Sequence, residues 1–109
     1  MKKLFFLIAL AICPQVFGQN IDVNLALQNA ATELSSLKQE LGLNAEQEGQ
    51  IKLVLDGLHQ KYAYVNADQH LSPAQKEEAH RENTKVKHAY ILQYLNDNQK
   101  TVYKNSIGQ

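Results

Sequence analysis

One five-residue pattern occurs three times: Leu43-Asn44-Ala45-Glu46-Gln47, Leu71-Ser72-Pro73-Ala74-Gln75 and Leu95-Asn96-Asp97-Asn98-Gln99. Each copy predicts the start of a helix. The Asn or Ser side chain accepts a hydrogen bond from an orphan N–H of the first turn, and the Gln three residues on reaches back to the cap's own N–H. Pro73 falls at the first helical position, where its missing N–H costs nothing. Asn44, Gln47, Ser72, Gln75, Asn96 and Gln99 are therefore expected to be structural caps, and three separate helix starts demand an all-α fold.

The spacing of apolar residues supplies the helices. Val23, Leu27, Ala30, Leu34, Leu37 and Leu41 recur in steps of four and three, which predicts an amphipathic helix over about 21–41 ended by Gly42. Only Gly42 and Leu43 then precede the Asn44 cap, a spacing that fits either a tight corner or a kinked rod. A second helix over about 45–66 carries Ile51, Val54, Leu55, Leu58, Tyr62 and Val65 on one stripe. Gly49 and Gly57 weaken it, and a close helix crossing would be one reason for Gly57. After a polar connection over 67–71, Ser72 caps a third helix reaching about Tyr94, with Ala79, Val86, Ala89, Tyr90 and Leu92 as its apolar members. Its first half, from Gln75 to Lys87, is almost entirely polar and is expected to face solvent or a wet surface. Asn96 caps a short last helix carrying Val102, Tyr103 and Ile107, with Gly108 at its end. The sum is a long helical hairpin of three to four amphipathic helices. Nothing alternates like a strand or forms a Gly-rich phosphate loop.

Met1 to Gly18 has the pattern of a secretory signal: Lys2 and Lys3, then an apolar run of nine from Leu4 to Ile12, then Val16-Phe17-Gly18 as a small-residue cleavage site. Nine apolar residues are too few to span a bilayer. Cys13, the only cysteine of the 109 residues, lies within this segment. Ile12 stands where a lipoprotein box wants a small residue, which argues against lipidation. The expected exported part, residues 19–109, is one all-helical domain with no membrane span, no thiol and a marginal core of its own. Without Lys2 and Lys3 it holds nine basic against eleven acidic residues, so nucleic acid is a poor partner.

Chemistry is sparse. Ser35, Ser36, Ser72 and Ser106 lack an elbow or triad-like context, and the carboxylates are scattered over polar helix faces, so no catalytic residue or cofactor is expected. Metal binding is the alternative, since His59, His70, His80 and His88 all fall in the exported part. Glu77 and His80 are three apart and could share an ion, completed by His70 from the loop or by a second subunit. His80 and His88 are eight apart, about 12 Å along a helix, and cannot serve one ion within a chain. The alternative function is thus a periplasmic metal-responsive sensor or buffer using surface histidines.

The Leu-x-x-x-Gln spacing at helix starts, the Leu71-Ser72-Pro73-Ala74-Gln75 segment followed by a charged helix, and the small exported helical chain resemble the LTxxQ-motif family of periplasmic stress proteins, the Spy- and CpxP-like proteins. The likeness covers about 34–107, with Asn44 and Asn96 where the family usually writes Thr. It implies a curved helical hairpin paired as a homodimer, located in the periplasm, that binds client proteins or a sensor protein without ATP. On that reading Ile51, Leu55, Leu58 and Tyr62 form the stripe that buries against a partner. The chain departs from the better-known, basic chaperones of this group in being slightly acidic, and its sole methionine is Met1.

Overall fold

The computed structural model describes residues 21–109. The signal-like segment and Cys13 lie outside them. Four helices follow in order: α1 (Val23–Leu41), α2 (Ala45–Ala67), α3 (Pro73–Gln93) and α4 (Asp97–Ser106). Helix α1 begins at the first residue of its apolar period, two later than the expected start near 21, because Asp22 caps it, its carboxylate accepting from Leu25 N at 3.0 Å. Gly42 ends it with φ 65°, a left-handed conformation that glycine adopts without a Cβ penalty, and its N–H closes on Lys38 O at 2.9 Å.

That reversal settles the first connection as a corner. Helices α1 and α2 run antiparallel, as the pairs Lys38–Glu48 near the corner and Glu33–His59 further away require. Helix α3 returns along α2, and α4 lies across the corner end against α1, giving a body of 42 × 26 × 25 Å. Tyr62 meets His80 and Thr84, which fixes the register of α3 on α2. The polar half of α3 does pack: Tyr62 Oη and Thr84 Oγ1 lie 3.0 Å apart, and Lys76 Nζ donates to Asn66 O at 2.8 Å.

The core gathers Ala30, Leu34, Leu37, Leu41, Leu43, Ile51, Val54, Leu55, Leu58, Tyr90, Ile91, Leu95 and Tyr103. Four expectations change here. The α2 stripe expected to bind a partner is used inside the chain: Ile51 and Leu55 are 0 % exposed and Leu58 2 %, because α1 and α3 flank α2 on that side. The α1 stripe is likewise internal, with Ala26 in place of Val23, which is 41 % exposed. On α3 the deepest residue is Ile91, whereas Ala89 is exposed. Gly57 marks no close crossing, since a Cβ there would meet nothing within 4 Å.

Two of the three Leu-cap-x-x-Gln copies form one device. All three make complete capping boxes, but Gln47 and Gln99 face each other at the corner end. Gln47 Nε2 donates to Tyr94 O at 2.8 Å and Gln99 Oε1 at 2.7 Å. Gln99 Nε2 donates to Leu41 O at 3.1 Å and Gln47 Oε1 at 3.2 Å. Each glutamine thus starts its own helix and satisfies a carbonyl at the end of a helix in the other hairpin. Leu43 and Leu95 seal this contact in the core, while Gln75 of the middle copy stays exposed at the opposite end.

Candidate functional site: the open end of the bundle

Helix α4 covers only the corner end. At the other end, the start of α1 and the last turns of α2 border a groove of about 440 Å³. Leu25, Ala26, Ala63 and Ala67 give it apolar walls; Asp22, Asn29, His59, Tyr62 and Asn66 supply polar groups. Leu25 is 52 % exposed, whereas Ala26 is buried at the floor. Small residues on both helices leave this space: alanines at 26, 63 and 67 stand where larger side chains would close it.

A fixed polar layer underlies the groove. The Glu33 carboxylate accepts from His59 Nε2 at 2.7 Å and from Lys87 Nζ at 2.8 Å, tying α1 to α2 and α3. Burial opposes its ionisation, yet the bonds from His59 and Lys87 and their charges outweigh that and lower its pKa from 4.5 to about 2. An ionised carboxylate only accepts, so His59 must carry its proton on Nε2. The His59 ring meets the edge of Tyr62 at 5.5 Å, and Tyr62 meets His80 at 5.4 Å. His80 in turn donates from Nε2 to Asn66 Oδ1 at 2.7 Å. Further along α3, His88 packs edge-on against Tyr103 at 5.8 Å; burial and the neighbouring Lys87 lower its pKa, against a smaller upward pull from Glu33. Burial first, and then the nearby Glu33, Tyr62 and Glu40, hold the Tyr103 hydroxyl protonated well above the usual phenol range.

The residues suggested for a metal do not come together. His70 turns toward Asp68, 3.4 Å from Nδ1 to Oδ1; His80 is held by Asn66; Glu77 is exposed on α3. Among the described residues no three His, Cys, Asp or Glu side chains gather as a ligand set. Of the proposed partner stripe, Tyr62 alone reaches the groove, half-buried; Ile51, Leu55 and Leu58 lie beneath the surface.

Reasoning from sequence missed Glu33, His59 and Lys87 as a unit, because they come from three helices 26 and 54 residues apart in the chain. It also missed Leu25 and Asn29, whose place depends on where the ends of α1 and α2 meet. The signal available was compositional: alanines four residues apart, at 26 and 30 on α1 and at 63 and 67 on α2.

No helix among the described residues is long and apolar enough to cross a membrane. No protein-family model matches the sequence, and neither the curated proteins nor the solved structures contain a significant match. What stands, among the described residues, is a small all-helical body of four helices packed as hairpins.

Proposed function

We propose that this chain is an exported, ATP-independent protein-binding module that holds apolar segments of other proteins at the open end of its bundle. One observation carries the reading: a concave groove of about 440 Å³, apolar on its walls and rimmed by an exposed leucine, is left open by an otherwise closed core. The amino-terminal signal-like sequence supports export to the periplasm, and the likeness of the Leu-x-x-x-Gln copies to the LTxxQ proteins supports a chaperone-like role in envelope stress. The rigid polar layer beneath the groove favours reversible docking over unfolding of the module itself.

The test is aggregation of a heat-sensitive client followed by light scattering, with residues 19–109 in up to several-fold molar excess. Suppression that Leu25→Asp abolishes supports the reading; no suppression at that excess refutes it. The LTxxQ likeness implies a homodimer, but the stripes that called for a second copy are already covered within one chain. Multi-angle light scattering decides this, and the mass of a single chain is expected.

A further inference from the structure

The charge around the groove says which segments it prefers. Asp22 stands at its rim with Oδ1 bonded to Leu25 N, and among the described residues no cation pairs with it. The opposite wall, Ala63 to Ala67, is the carboxyl end of α2, the negative pole of a 23-residue helix that has no basic residue in its last turn. The lysines and histidines nearby are committed elsewhere. Lys87 and His59 are both on Glu33, and Lys76 from α3 donates to Asn66 O, offsetting part of the α2 pole. His80 of α3 is held on Asn66 Oδ1. A carboxylate without a cation among the described residues and a partly offset helix carboxyl terminus therefore face each other across apolar walls.

We infer that the groove takes polypeptide segments in which an apolar side chain is followed closely by lysine or arginine. The apolar group sits between Leu25, Ala26 and Ala63, and the cationic head, carried on its methylene stem, reaches Oδ2 of Asp22 and the α2 terminus. The inference rests on the groove being a protein-binding site and adds the charge of its partner. Free polyamines share the cation but lack the apolar side chain.

The experiment uses residues 19–109 and three short fluorescein-labelled peptides of one leucine-containing sequence, differing only by lysine, glutamine or glutamate at one position. Fluorescence anisotropy is expected to rank them lysine, glutamine, glutamate, with about two- to fivefold between steps at low salt, the range of a partly exposed ion pair. The gap should narrow as salt shortens the screening length. Asp22→Asn keeps the cap, since Asn caps a helix about as well as Asp, and is expected to bring the lysine and glutamine peptides level. Equal binding of all three peptides, an unchanged preference in Asp22→Asn, or displacement of the lysine peptide by spermidine at equal concentration would overturn the inference. Suppressed client aggregation without charge preference sinks this inference alone; loss of aggregation suppression with the preference intact sinks the holding role instead.

Discussion

Replacing Gln99 by Met tests whether the facing glutamines hold the corner end together. The substitution keeps the volume of this side chain, 8 % exposed, and deletes its polar end. The α4 start loses the bond to Asn96 N, Leu41 O loses its donor, and the Gln47 amide keeps Tyr94 O as its one partner beyond its own cap. A buried group left unpaired costs about 1–3 kcal/mol, and a lost cap about 1 kcal/mol. With partial compensation the loss should be about 2–4 kcal/mol, lowering the melting temperature of a domain this size by about 10–20 °C. The same change at the exposed Gln75, which has only its own capping box, should cost about 0.5–1 kcal/mol. Urea denaturation followed by helical circular dichroism measures both. Combined with Gln47→Met, the double variant should be less destabilised than the two singles together, by about 1 kcal/mol or more. Additivity within about 0.5 kcal/mol, or a Gln99→Met no worse than Gln75→Met, would refute the argument.

Glu33 makes stability depend on acid. Its pKa is depressed in the folded chain, so its contribution is complete above about pH 4.5 and is lost as pH falls toward 2. After allowance for solvent screening the contribution is about 1–3 kcal/mol, and Glu33→Gln should remove most of the difference in urea midpoint between pH 6 and pH 3; an unchanged pH dependence would contradict it. Gly57→Ala should stabilise by about 0.5–1 kcal/mol, because the added methyl meets open space in a helix interior; a loss of stability in thermal melts would show a contact there. Leu55→Ala, at a residue 0 % exposed, should cost about 2–5 kcal/mol by chemical denaturation, whereas Leu53→Ala, 65 % exposed on the same helix, should stay within about 0.5 kcal/mol.

The helices were legible because their starts are written locally. A cap and its glutamine lie three residues apart, and their hydrogen bonds close within one turn whatever the rest of the chain does. The partner of an apolar stripe is not written locally. Ile51, Leu55 and Leu58 announce that one side of α2 must be covered, but only the left-handed Gly42 and the return of α3 decide that this same chain covers it. The Gln47–Gln99 pairing and the Glu33 contacts are hidden for the same reason: each needs three-dimensional register between elements about 50 residues apart. The groove is harder still, since it arises from what alanines leave unfilled.

Because the two helix corners finish each other's hydrogen bonding, the molecule cannot be shortened from its carboxyl end in stages. Removing the last sixteen residues, 94–109, deletes α4 and also strands the Leu41 carbonyl and the Gln47 amide at a corner more than forty positions upstream. Cooperative unfolding should therefore span the whole domain, and proteolysis that removes α4 should destabilise the first hairpin along with the last.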